Sequence, residues 1–255
     1  MIKYILSWIP TDLVKPIFYL VISAFVTVGL HFIPFFHFHL QFTWWWLQWN
    51  LFLAGLPLLF ALSLIRAEHM KKRFYKLRIW FWGLLWLFFY PNSPYMLTNL
   101  IHLSRLDFIT RNDQYAYEFS YQFSSEISVW FPFLHMVLGI IVGVALGLVS
   151  LFIIHRHIEA RLGAKFSWVL ITAVSALSGI AIWVGRILRF NSWDIIFRPF
   201  QLIQSIISAF DWNALWLCII FAIMSGLVYL LLWTLLSNKF GNTKKHSYNV
   251  PLSSR

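Results

Sequence analysis

Charge and cysteine are scarce in this sequence. Of its 255 residues, 20 are Lys or Arg and nine are Asp or Glu, too few to clothe a soluble globule of this length unless most of the outside faces lipid. The single Cys218 lies inside an apolar run, so no disulfide forms within the chain and the redox compartment stays undecided. With 11 Gly and nine Pro the chain is neither collagen-like nor low in complexity. There is no nucleophile elbow, phosphate-binding loop or zinc-protease helix. Nor is there a repeat with a period of about 20 to 50 residues.

What the chain does have is apolar surface, at 60% hydrophobic and 20% aromatic residues. A helix needs about 20 apolar residues to cross the ~30 Å hydrocarbon layer. Six runs qualify: Ile17–Ile33, Trp44–Ile65, Ile79 to about Leu103, Val129–Ile154, Ser167–Gly185 and Ala214–Leu236. They predict an all-α fold, a polytopic membrane helix bundle of about six transmembrane helices. The third is broken at Pro91-Asn92-Ser93-Pro94-Tyr95. Before the last run, Phe200, Ile203, Ile206, Ile207 and Phe210 fall on one side and Gln201, Gln204, Ser205 and Ser208 on the other, the pattern of an amphipathic interfacial helix. Residues 1–240 read as one transmembrane domain and 241–255 as a flexible basic cytoplasmic tail. Lys3 and Lys15 precede the first run and no small-residue cleavage site follows it, which argues for a span and against a signal peptide.

Alternate connections differ sharply in charge. Residues 1–16, 66–78, 155–166 and 237–255 hold 15 of the 20 basic residues against Asp12, Glu68 and Glu159. The other connections hold Arg105, Arg111, Arg186, Arg189 and Arg198 against Asp107, Asp113, Glu118, Glu126, Asp194 and Asp211. The positive-inside rule then puts both termini in the cytoplasm. The net charge of +11 is accounted for by loops lying against anionic headgroups, such as Arg66 through Lys71, Lys72, Arg73, Lys76 and Arg78. No folded basic domain is present to carry nucleic acid. Trp44, Trp45, Trp46 and Trp49 suit an interfacial anchor. His31, His37 and His39 lack carboxylate or cysteine company and read as interfacial, so no metal and no cofactor is expected.

Polar groups at membrane depth are the candidate functional residues. After the break, Ser93 is placed to cap a second short helix with Pro94 at its first position, leaving free N–H groups for an anion. In that helix Tyr95, Thr98, Asn99 and His102 recur at spacings of three and four, opposite an apolar side. Counted from Ser167, Arg186 arrives after ~28 Å, near the outer boundary, and Arg189 three residues on would share its helix face. Asn50 lies ~9 Å below the same surface. Asn50, Asn92, Tyr95, Thr98, Asn99, Arg186, Arg189 and Asn191 are therefore candidate binding residues at one level. His102 is the candidate general acid or base with Asp194 its orienter. Simpler roles exist for each: a proline kink, snorkelling arginines, a cap by Asn191 or Ser192, an interhelical hydrogen bond from Asn50.

Three segments carry a resemblance: Asn50-Leu51-Phe52-Leu53-Ala54-Gly55-Leu56-Pro57, then Tyr90 through Leu103, then Gly185-Arg186-Ile187-Leu188-Arg189-Phe190-Asn191-Ser192-Trp193-Asp194. Here the chain resembles a family of bacterial integral membrane proteins known as domain of unknown function 1361. The resemblance implies a polytopic protein of a bacterial cytoplasmic membrane and supplies no activity. The family pattern usually has aspartate after the threonine, where this chain has Asn99.

The expected function is an outward-facing polar pocket for an anionic lipid headgroup or lipid-linked phosphate, with membrane lipids as partners and a modifying reaction left open. The alternatives are a small-solute transporter, suggested by the broken helix, and a non-catalytic envelope assembly or scaffold protein.

Overall fold

The computed structural model describes residues 11–32, 45–111 and 121–247. Lys3, His37, His39, Trp44, Asp113, Glu118 and the tail from residue 248 lie outside the described residues. In chain order the helices are α1 (Thr11–Leu30), α2 (Trp45–Met70), α3 (Tyr75–Phe89), α4 (Asn92–Tyr95), a 3₁₀ helix (Met96–Arg105), α5 (Ile127–Leu162), α6 (Ala164–Arg186), α7 (Asp194–Phe197), α8 (Pro199–Ala209) and α9 (Trp212–Ser247). Between the 3₁₀ helix and α5, β1 (Ile109–Arg111) and β2 (Tyr121–Phe123) form a small antiparallel hairpin with Ile109 opposite Phe123. The architecture is an all-α membrane helix bundle. The last helix passes residue 240 without interruption.

α1, α2, α5, α6 and α9 are each long and apolar enough to cross a membrane. The third run is the exception. α3 has 15 residues, ~22 Å of helix, and stops at the prolines, because proline offers no N–H to continue the ladder. Contacts along α5 show where the chain goes next. Trp86 Nε1 donates to Ser150 Oγ at 3.2 Å, the Ser93 hydroxyl donates to the carbonyls of Gly143 and Val144 at 3.1 and 3.2 Å, and Phe108 packs edge-on against Phe133 at 5.4 Å. The broken segment thus advances along α5 towards the start of that helix.

α5 is the hub, packed against α1, α2, α6 and the 3₁₀ helix. Without a hydrophobic driving force between helices in lipid, small residues that let backbones approach decide such contacts. Gly139, Gly143 and Gly147 form that stripe. A Cβ at Gly139 would lie 3.3 Å from Leu47, one at Gly143 3.0 Å from Met96, and one at Gly147 would overlap the Ser93 side chain. Gly179 plays the same part where α6 meets the Cys218 carbonyl and Ala222 of α9. Gly163 alone links α5 to α6, at a φ of 85° that side-chain-bearing residues rarely adopt.

The two ends of the bundle differ. At one, α2 runs past its apolar stretch so that the nearly buried Glu68 meets His157 Nε2 at 2.8 Å and also pairs with Arg161. Close by, the buried His155 joins Tyr229 Oη at 2.7 Å and Ser167 Oγ at 3.0 Å, tying α5 to α6 and α9. Since Ser167 donates to the Ala164 carbonyl, His155 donates through Nε2 and accepts from Tyr229, and every member is satisfied. The other end holds the break, the hairpin, α7 and α8. Trp45 and Trp49 are exposed there, as an interfacial belt requires. α8 buries only Leu202, and its Phe200, Ile203 and Ile207 point away from the bundle.

Candidate functional site

The candidate residues of the break end meet around Arg186. α6 ends at this residue, and its guanidinium crosses to the broken segment. Nε donates to Thr98 Oγ1 at 2.9 Å, Nη2 to Thr98 Oγ1 and to Asn99 Oδ1 at 2.6 Å, and Nη1 lies 3.3 Å from His102 Nε2. The guanidinium carbon also sits 4.4 Å from the centre of the Tyr95 ring, a cation–π distance. A half-buried arginine is therefore held by an alcohol, an amide, an imidazole and a phenol ring. Among the described residues no carboxylate pairs with it.

The 3₁₀ geometry makes this convergence possible. With three residues per turn, side chains at i and i+3 eclipse, so Asn99 and His102 form one row and Tyr95 and Thr98 its neighbour. Thr98 Oγ1 donates back to the Tyr95 carbonyl at 2.7 Å, which fixes its lone pairs towards Arg186. Asn99 is fully buried, and its Nδ2 faces Met96 Sδ at 3.6 Å. The amide is thereby oriented with its oxygen to the arginine. As Arg186 can only donate, His102 accepts at Nε2 and carries its proton on Nδ1. Its ring also rests on Trp46 at 4.5 Å.

Beside this cluster, separated from it by Tyr95, a cavity of about 500 Å³ opens between α2, α3 and α6 beneath α7 and α8. Asn50, Asn92, Tyr95, Asn191 and Ser192 supply its polar atoms. Asn92 Nδ2 donates to the Phe89 carbonyl at 2.9 Å and reaches Ser192 Oγ at 3.5 Å, joining the break to the α6–α7 connection.

Three local expectations change. Ser93 is not a cap: its hydroxyl is spent on α5, and Pro91 occupies the cap position without a side-chain bond. Nor does a row of free N–H donors form, because α4 is four residues long, Pro94 has no N–H, and the amides of Ser93 and Tyr95 already reach the carbonyls of Tyr90 and Pro91. Arg189 does not share a helix face with Arg186. It lies beyond the end of that helix at a left-handed φ of 61°, and its side chain is exposed. Asp194 accepts the Asn191 N–H at 2.7 Å, a cap-like bond at the start of α7, and His102 makes its contacts with Arg186 and Trp46 instead.

Trp46 and Ser192 are the contributors that sequence reasoning passed over. Trp46 is four residues from Asn50 and hence on the same side of α2, a spacing that could have separated it from the anchoring tryptophans. Ser192 stood out in the sequence only as an alternative to Asn191 for a helix cap.

Comparison with curated proteins and with solved structures gives no match. A family model described as a protein of unknown function, DUF1361, matches residues 49–228, a stretch that contains Arg186, Tyr95, Thr98, Asn99 and His102 and the walls of the adjoining cavity. Since the match covers more than half of the chain, this protein belongs to that family.

Proposed function

We propose that the break end of the bundle binds an anion, the headgroup of a membrane lipid or a lipid-linked phosphate. One observation carries the reading: Arg186 is half-buried and surrounded by neutral acceptors, with no carboxylate among the described residues to balance it. Charges removed from water are ordinarily paired, and a cation at the bilayer centre costs about 2.5 to 3.5 kcal/mol, less towards the interface. A phosphate or carboxylate would supply the missing charge and suit the guanidinium fork. Nη1 gives one hydrogen to His102 and keeps a second. Asn50, Asn92, Asn191 and Tyr95 line the mouth beside it.

Basic loops crowd the opposite end, so the positive-inside rule puts that end in the cytoplasm and the anion site on the far side; in a bacterium this is the outer face of the cytoplasmic membrane. Binding, more than catalysis, is what the geometry supports. His102 Nε2 is engaged by Arg186, and Asp194 Oδ2 takes the Asn191 amide, so the two do not form the acid–base pair that catalysis would call for.

Native mass spectrometry of protein extracted in mild detergent tests the reading. A phosphate-bearing lipid retained above its share of the membrane is expected, whereas lipids carried in bulk proportion reject it. Sidedness has its own check. In a Ser125→Cys protein the exposed thiol at the hairpin end should react with a membrane-impermeant maleimide on intact cells. Reaction only after lysis reverses the orientation.

Asn99→Asp is a sharper probe of the charge argument. The new carboxylate would stand at 2.6 Å from Arg186 Nη2 and neutralise the arginine from within. Affinity for an added anionic lipid is expected to fall about tenfold while the fold is kept. Unchanged affinity would show that the ligand does not need an uncompensated Arg186.

A further inference from the structure

We propose that the cavity beside Arg186 seats a hydrocarbon chain, so that the ligand is a single-chain or single-isoprenoid amphiphile held at both ends and not a soluble anion. This rests on the anion site proposed above and names the class of molecule that fills it.

The cavity is polar at one end only. Asn50, Asn92, Tyr95, Asn191 and Ser192 gather beside the break, and no charged residue lines any part of it. Its remaining walls are hydrocarbon, with Leu84 and Leu87 of α3 facing Ile180 and Ala181 of α6, and Leu202 and Ile206 of α8 closing one side. α6 is one of the five spanning helices and α3 the apolar half of the broken one, so these walls stand at hydrocarbon depth. A small hydrated phosphate gains nothing from such walls. A chain does, because apolar walls left unfilled forfeit dispersion contacts that a hydrocarbon tail supplies and that neither water nor a phosphate can. Tyr95 links the two regions: one face of its ring carries the Arg186 guanidinium, and the residue also lines the cavity. At about 500 Å³ the volume lies within the ordinary range for one small-molecule ligand and suits one chain better than two.

The test uses the full chain in nanodiscs of zwitterionic phosphatidylcholine, with hexadecyl phosphate and butyl phosphate as probes bearing the same head. Hexadecyl phosphate should bind the unaltered protein about thirtyfold more tightly than butyl phosphate. Ala181→Trp, which fills the cavity, should bring the long probe to the level of the short one and leave the short one alone. Leu84→Trp on the facing wall should do the same, so that misfolding of one variant does not decide the result. Equal affinity of both probes for the unaltered protein, or undiminished long-chain preference in both Trp variants, overturns the proposal. Loss of both probes in Arg186→Gln belongs to the anion site. A long-chain preference that survives Arg186→Gln but vanishes in the Trp variants would reject the anion site and keep the chain site.

Discussion

Replacing Arg186 by glutamine is expected to weaken binding of an anionic lipid about a hundredfold, close to 2.7 kcal/mol. Hydrogen bonds to a charged group are worth about 1.5 to 3 kcal/mol each, and this substitution removes both the charge and the guanidinium fork that two phosphate oxygens would share. Glutamine is the informative replacement, because its amide can still donate to the buried Asn99 oxygen and the fold is not asked to bury an unpaired acceptor. Arg186→Lys should recover part of the affinity, since lysine restores the charge as a point but cannot bridge Thr98, Asn99 and His102 together. Native mass spectrometry with one added anionic lipid gives the ratio directly. Arg186→Gln with unaltered lipid retention would remove the basis of the anion site.

Gly147→Leu should have the largest effect on the fold. The space beside Gly147 is already taken by the Ser93 side chain, and forcing extra atoms into a packed contact usually costs about 1 to 3 kcal/mol, sometimes more. The loss extends beyond packing. Ser93 would be pushed from the carbonyls of Gly143 and Val144, and with it the segment that presents Thr98, Asn99 and His102 to Arg186. Thermal unfolding in detergent should shift downward, and lipid retention should drop with it. Gly29→Ala is the control, as nothing lies within 4 Å of a Cβ there, and its effect should stay within about 0.5 kcal/mol. Gly147→Ala combined with Ser93→Gly should recover much of what Gly147→Ala alone loses, because the second change removes the atoms in conflict. A Gly147→Leu protein as stable as its parent would mean that the break is not anchored on α5.

The break, the spans and the level of the polar residues could be read along the chain because each is a one-dimensional quantity. Pro91 and Pro94 interrupt a helix wherever it packs, and ~1.5 Å per residue turns a position into a depth. Lateral position has no such ruler. Arg189 and Asp194 stood at the right level and still have different partners from Arg186, since the left-handed turn at residue 189 rotates the chain away. Gly139, Gly143 and Gly147 are visible as a spacing of four, but a lipid-facing stripe and a helix-facing stripe are equally apolar in sequence, so the partner Ser93 was hidden. The 3₁₀ winding of Met96–Arg105 was hidden too, because the spacings of Tyr95, Thr98, Asn99 and His102 suit an α-helix almost as well.

Taken by itself, the order of residues determined that this chain is a bundle of membrane helices with one of them interrupted. Apolar run length and backbone hydrogen bonding leave no other arrangement in a medium without water. Only the tertiary structure decided that Arg186 meets Thr98, Asn99, His102 and Tyr95, beside a cavity with one polar end. Which helix faces which depends on close packing between surfaces that lipid would cover equally well.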